Sequence, residues 1–387
     1  MGEWKKIKLG EILEEYCERN IDNKYMPVAV GKYGIRKREE IYSKELSKDI
    51  SKNKVIRKDT LTIGMGSNQI DIGILVEDEK YCVSPAYTTY KIKNCNSKFL
   101  EYYLEYINPR LSDLFMIVSA RQGKSVDKEG MLAYSIEIPS LDEQSKICKV
   151  LNQIEIIIEK LTIQQNEIEK FKNTIVYEIF QNKEKLNKVK IGEYLSVITD
   201  YHSNGAYKKL KENVTLLDKP DYAIMIRTTN LSKNDYENEL LYITEKAYNF
   251  LEKSKVKEND ILMNKIANPG TMYLMPKLNK PVSCGMNLFL IRFSKEVDQK
   301  YMFYNMKSVE KEIKNLAHGS TTKTITKDEV RNFELYIHNL SEQKKIVNVL
   351  ETIDTMKSRI NAKSDYYMRL RKALIKRIMT GKVIINV

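Results

Sequence analysis

Cysteine, histidine and long apolar runs are scarce in this 387-residue chain, and each scarcity closes off a class of function. The five cysteines (Cys17, Cys82, Cys95, Cys148, Cys284) are odd in number, scattered and without a C-x-x-C pair, so neither a disulfide framework nor a zinc site is expected. Such thiols fit a reducing cytoplasm. His202, His318 and His338 lie far apart and show no H-x-x-x-H ligand spacing, so no metal is expected. No stretch reaches the roughly 18 uninterrupted apolar residues of a spanning helix, and MGEWKKIKLGE lacks the apolar core of a signal peptide. The expectation is a cytoplasmic protein without a membrane partner.

Catalytic signatures are also missing. No G-x-G-x-x-G follows a strand-like run, so a dinucleotide or methyl-donor loop is unsupported. The SPAY run at 84–87 departs from the Asn-Pro-Pro-Tyr motif of amino-methyltransferases, because Ser84 and Ala86 supply neither its amide acceptor nor its second proline. Asp298, Glu312 and Lys314 have a D…E-x-K spacing, but they fall in a segment that reads as helix, where nuclease chemistry needs carboxylates converging on a metal.

What is present is charge. Lys and Arg number 65 against 52 Asp and Glu, a formal charge of +13 and a pI near 9.1, which favours an acidic partner such as nucleic acid. Hydrophobic residues at 42% are enough for packed cores, and the length suits two domains.

The chain repeats itself. Residues 140–182 and 339–381 match without a gap at an offset of 199: SLDEQSKICKVLNQIE aligns with NLSEQKKIVNVLETID. Upstream, KIKLGEIL at 6–13 echoes KVKIGEYL at 188–195, and IRKDTLTIG at 56–64 echoes VKENDILMN at 256–264. Gly10 to Asp59 is 49 residues and Gly192 to Asp260 is 68, whereas Asp59 to Glu143 and Asp260 to Glu342 differ by two. The halves thus share a frame and differ in one region, as a reader of two different targets would.

Within 142–181, Ile147, Leu151, Ile154, Ile158, Leu161, Gln165, Ile168, Lys172, Ile175 and Ile179 alternate in steps of four and three, the period of a coiled-coil seam. The same register later reads Ile346, Leu350, Ile353, Lys357, Ile360, Ser364, Tyr367, Arg371, Leu374 and Ile378. Ser140 with Glu143, and Asn339 with Glu342, have capping-box spacing. Asn182 and Gly381 suit the left-handed residue after a last turn. Two helices of about 40 residues, each ~60 Å long, are expected. Packed antiparallel on each other, they would place the modules at opposite ends of a rod with pseudo-two-fold symmetry.

Between the echoes, DTLTIGMG at 59–66, DIGILV at 71–76 and AYTTYKI at 86–92 read as strands, as do DILMNKI at 260–266, TMYLM at 271–275 and NLFLIRF at 287–293. One helix is expected after each sheet, at 98–118 and 298–316. The predicted fold class is α/β, with mixed α+β modules at 1–139 and 186–338 and spacer helices at 140–185 and 339–387.

This combination resembles the specificity subunit of type I restriction-modification systems. The resemblance rests on the doubled L-x-E-Q-x-x-I opening of a long helix, in LDEQSKI and LSEQKKI, and on the finish LRKALIKRIMTGKV. The VSPAY run at 83–87 also looks like the family's first-module sheet, whereas VSCGM at 282–286 departs from it. The resemblance implies two target recognition domains, each reading one half of a split site in double-stranded DNA, and no catalysis by the chain itself. It also implies a coiled coil that docks two methyltransferase subunits and, in a complete restriction enzyme, nuclease/translocase subunits. S-adenosylmethionine is expected on the methyltransferase, with no cofactor on this chain.

Base edges are read by paired donors and acceptors, and phosphates by basic groups, so loops rich in Arg, Lys, Asn and Gln are the candidate contacts. In the first module these are Arg36, Lys37 and Arg38; Ser67, Asn68 and Gln69; and Arg121, Gln122, Lys124 and Ser125. In the second they are His202, Ser203 and Asn204; Arg227, Thr228, Thr229 and Asn230; Asn264, Lys265 and Asn268; and the run His318, Gly319, Ser320, Thr321, Thr322 and Lys323. That last run, glycine-hinged and expected just before a framework strand, is the foremost candidate.

Overall fold

The computed structural model describes residues 4–31, 34–38, 41, 49–119, 123–181, 186–320 and 322–382. It divides into two units, residues 1–163 with 361–387 and residues 164–360. Each unit is a mixed module together with parts of both long helices, so neither helix belongs to one module alone.

The central helix runs Leu141–Gln181 and the C-terminal helix Leu340–Met379. The Ser140 hydroxyl accepts from Glu143 N at 3.4 Å and Asn339 Oδ1 from Glu342 N at 3.0 Å, satisfying donors that the first turn leaves orphaned. At the far end, Gly381 (φ 68°) donates to Ile378 O and Lys382 to Arg377 O, both at 2.9 Å. These are the two bonds of a Schellman stop. The matching Asn182 lies outside the described residues.

Both modules are built on one frame. In the first, Lys5–Lys8 pairs antiparallel with Ser135–Ile138, and a four-stranded antiparallel sheet runs in the order Leu13–Glu15, Thr88–Ile92, Thr60–Met65, Ile70–Leu75. In the second, Asn187–Lys190 pairs with Glu334–Ile337, and the sheet order is Leu195–Asp200, Leu288–Phe293, Ile261–Asn264, Met272–Leu274. Every strand expected from apolar patterning is present. VSPAY is a correction: Val83 closes the strand Lys80–Val83, and 84–87 form a turn in which Tyr87 N donates to Ser84 O at 3.1 Å. The helix after the first sheet is Ser97–Phe115, whereas its counterpart breaks at Val309 into Gln299–Ser308 and Glu310–Lys314.

The length surplus of the second module falls within a subdomain. A mixed sheet of Leu241–Ile243, Ala223–Ile226, Val282–Cys284 and Lys255–Val256, with one parallel pair, packs beside helices Tyr207–Asn213 and Glu245–Phe250. Tyr201, Leu210, Met225, Ile243 and Leu251 form its separate core.

The seam residues are all buried or half-buried, and the unit cores explain why. Ile147 and Leu151 join Ile375, Ile378 and Met379 in the core of the first unit, with Leu374 packed against it. Phe180, Val347, Leu350 and Ile353 belong to the core of the second, with Ile168, Ile175, Ile179 and Ile346 against it. Leu161 is buried, and Ile154, Ile158 and Ile360 are half-buried. Burying one such side chain stabilises by about 1.5–3 kcal/mol.

The charged interruptions of the seam, Lys172, Lys357 and Arg371, form ion pairs between the helices. In the first unit Arg371 meets Glu155 at 2.9 Å, and in the second Lys172 meets Asp354 and Lys357 meets Glu169. Arg371 and Lys172 are 199 residues apart, as are Asp354 and Glu155, so one ion pair is built twice. Tyr102 Oη donates to Glu155 at 2.8 Å and Tyr304 Oη to Asp354 at 2.7 Å, which completes the correspondence. Burial alone would raise the Glu155 carboxyl, but Lys98, Tyr102 and Arg371 together hold it below the usual carboxylate range.

Candidate nucleic-acid interface

In the first module the hairpin of Thr60–Met65 with Ile70–Leu75 carries Ser67, Asn68 and Gln69 at its tip, the first two exposed. A Cβ at Gly64 would stand 1.8 Å from a ring carbon of Tyr87, so the ring lies on bare backbone, and its hydroxyl donates to Val30 O at 3.2 Å. The SPAY turn is therefore part of the hairpin's support. Lys124 Nζ donates to Ser67 O, which joins the tip to a second hairpin, Met116–Ser119 with Gly123–Val126, that also exposes Ser125. Arg38, Met65, Ser84 and Tyr87 line a cleft of about 440 Å³ beside the same tip. Arg36 and Lys37 are exposed on the strand Gly34–Lys37, while Arg121 and Gln122 lie outside the described residues.

In the second module the equivalent turn, 265–271, holds three left-handed residues, Ala267 (φ 53°), Asn268 (φ 77°) and Gly270 (φ 81°). Asn264 anchors it: its amide nitrogen donates to Asn268 O at 3.4 Å and its backbone N to Thr271 O at 2.9 Å. Asn264 is itself buried, whereas Asn268 is exposed. The HGSTTK run is a loop closed by mutual backbone bonds of His318 and Thr324 at 3.0 and 2.9 Å, with Gly319 at φ 115°. His318 Nδ1 stands 2.9 Å from Glu329, which also accepts from Thr326 N at 2.7 Å and so caps the helix Lys327–Asn332. That helix separates the loop from Glu334–Ile337, so the loop does not precede the framework strand directly. Ser320 and Thr322 are exposed, and Thr321 lies outside the described residues.

The structure brings these two loops together. Asn268, Thr322 and Lys323 share a cleft of about 500 Å³ with Lys314 and Asn315. Asp200 joins a third segment: its carboxylate accepts from Lys265 Nζ at 2.7 Å, Ser203 Oγ at 2.7 Å and Lys327 Nζ at 3.0 Å. Burial pushes the Asp200 carboxyl up, but these donors outweigh it and hold it far below the carboxylate range. Lys265 is thus committed to an internal ion pair. Asn204 is engaged as well, accepting from Lys253 N and donating to Ser254 Oγ, each at 2.9 Å, and His202 remains exposed. Arg227 donates to Glu239 O at 2.6 Å and Asn230 is buried, so in that group Thr229 is the exposed side chain.

Residues that patterning missed hold the modules to the helices. Gln144 Oε1 accepts from Asn96 N, the cap of Ser97–Phe115, at 2.8 Å, and its Nε2 donates to Pro139 O at 2.9 Å. Gln343 repeats this with Asp298 N at 2.7 Å and His338 O at 2.8 Å. The glutamine of each L-x-E-Q opening is therefore a buried latch. Asp298, one member of the D…E-x-K spacing, caps Gln299–Ser308, and Lys314 pairs with Glu310 at 2.7 Å. Among the described residues no three His, Cys, Asp or Glu side chains are grouped to hold a metal, and no helix is long and apolar enough to cross a membrane.

Two frames of one design, each presenting a polar loop cluster, define a duplicated recognition module. The model of the type I restriction modification DNA specificity domain matches residues 1–170 and again 183–365, and the chain belongs to this family. Two relatives come from Methanocaldococcus jannaschii. The type I restriction enzyme MjaVIII specificity subunit is 22% identical, over 72% of each chain. A protein provisionally named the MjaX specificity subunit is 23% identical, over 74% of this chain and 69% of its own. Among solved structures, the fold is similar to the S subunit of the type I restriction-modification system of M. genitalium, at a TM-score of 0.59, 14% identity and coverage of 97% and 96%. It is equally similar, at a TM-score of 0.59 and 16% identity, to a chain from a study of assembly and conformational transition in a type I system, with 98% of both chains covered.

Proposed function

We propose that this chain is the non-catalytic DNA reader of its complex, each module recognising one half of a split, asymmetric site. The supporting observation is the pair of loop clusters mounted on one frame with different residues in different loops: Ser67, Asn68, Lys124 and Ser125 on one, and Asn268, Thr322, Lys323 and His318 on the other. Exposed amides and hydroxyls suit base edges, and the basic groups suit phosphates. The internal commitments of Asn204, Asn230, Asn264 and Lys265 assign those four to holding the loops, not to touching DNA.

The two long helices set the spacing between half-sites and dock two methyltransferase subunits, which carry S-adenosylmethionine. Nuclease/translocase subunits join in a complete restriction enzyme, and the assembly works in the cytoplasm. Mapping methylated bases in cells with and without this chain tests the reading. A split, asymmetric motif that vanishes on deletion supports it; a continuous palindrome, or methylation that persists, sinks it.

A further inference from the structure

Beside the 201–204 segment of the second module lies a cleft of about 430 Å³ that no sequence motif marks. Its walls carry Lys253, Lys255, Lys257 and Arg292, with Thr199 at the side and Glu252 as a carboxylate on its lining. Arg292 is neutralised by Asp260, which it meets through Nε at 2.7 Å and a terminal nitrogen at 2.5 Å. Lys255 stacks over the Tyr248 ring, 4.6 Å from its centroid, and donates to Asn249 at 3.4 Å. Among the described residues the three lysines have no carboxylate within ion-pair reach, unlike Lys265 and Lys327 on Asp200 or Lys307 and Lys314 on Glu310. Three lysines on the walls of one concavity, none of them paired to a carboxylate among the described residues, leave it positive, and an anion seated there relieves that charge.

The position says which anion. Lys253 N donates to Asn204 Oδ1 and Asn204 Nδ2 to Ser254 Oγ, so the lysine-bearing segment is bonded directly to the turn that exposes His202. We propose that this cleft binds a backbone phosphate of duplex DNA next to the half-site read by the second module. Lysines act there as point charges that fix register without reading sequence. The proposal rests on the chain being a DNA reader and adds a contact that the loop clusters do not include.

The test compares the full chain with Lys253→Gln/Lys257→Gln, both exposed positions, and with a control of equal charge loss on the central helix, Lys149→Gln/Lys160→Gln. Affinity is measured against salt for a duplex carrying the mapped methylation motif and for a scrambled one. The cleft variant should weaken both duplexes by the same factor and lower the slope of log affinity against log salt by about two, while the control leaves the slope unchanged. An unchanged slope in the cleft variant, or a loss confined to the motif duplex, overturns the proposal. So does a titration in which inorganic phosphate occupies the wild-type cleft but the substitutions leave DNA binding untouched. Failure of the wild-type chain to prefer its motif would instead sink the underlying reading.

Discussion

The ammonium group of Lys265 stands 2.7 Å from a carboxylate oxygen of Asp200, and both side chains are nearly buried, at 13% and 11% exposure. With Lys327 on the other oxygen, Asp200 ties the end of one strand to the 265–271 turn and to the helix behind the HGSTTK loop. Asp200→Asn leaves two enclosed cations facing a neutral amide and should cost about 3 kcal/mol in denaturant unfolding. The folded carboxyl is depressed, so its contribution is complete above the unfolded pKa and is lost as pH falls through the folded one. Wild type should therefore lose stability on acidification more steeply than the Asn variant; parallel curves would contradict this.

The two glutamine latches should behave alike. Gln144→Leu and Gln343→Leu each strand a buried backbone N–H and a carbonyl, costing about 3 kcal/mol apiece. Thermal melts of the two variants check this, and a shift in only one of them would refute their equivalence.

Ile353 is 4% exposed and sits in the core of its unit, while Ile154 is only half-buried. Ile353→Asp should destabilise the second unit by about 4 kcal/mol, whereas Ile154→Asp costs about 1–2 kcal/mol. Limited proteolysis, read by the positions of the cuts, should show residues 164–360 opening first in the former variant; equal sensitivity of both variants would count against the packing.

Asn268 and Lys323 share one cleft and stand at the exposed edge of the second module. Asn268→Ala should lower discrimination at one half of the DNA site by about tenfold and leave the other half unaffected, whereas Lys323→Ala should weaken binding without changing discrimination. Competition binding with each half altered in turn measures this, and loss at both halves would disconnect the cleft from half-site reading.

Much of this is legible in the sequence, because period and spacing are local properties of a chain. The four-three alternation from Ile147 to Ile179, the gapless offset of 199 and the caps Ser140 and Asn339 prescribed two long helices, and apolar runs prescribed three of the four strands in each sheet, leaving Leu13–Glu15 and Leu195–Asp200 unread. Such patterns register in sequence because a helix or strand face must bury its own neighbours at three, four or two residues' distance.

Tertiary structure alone decided which polar side chains face inward. Nothing local in Asn204 or Lys265 separates them from Asn268 or Lys323; what does is Ser254 and Asp200, brought near from 50 and 65 residues away. The same holds for Gln144, an ordinary helical residue until Asn96 arrives to donate to it. A buried polar group is defined by its partner, and partners distant in sequence become neighbours only in the folded chain.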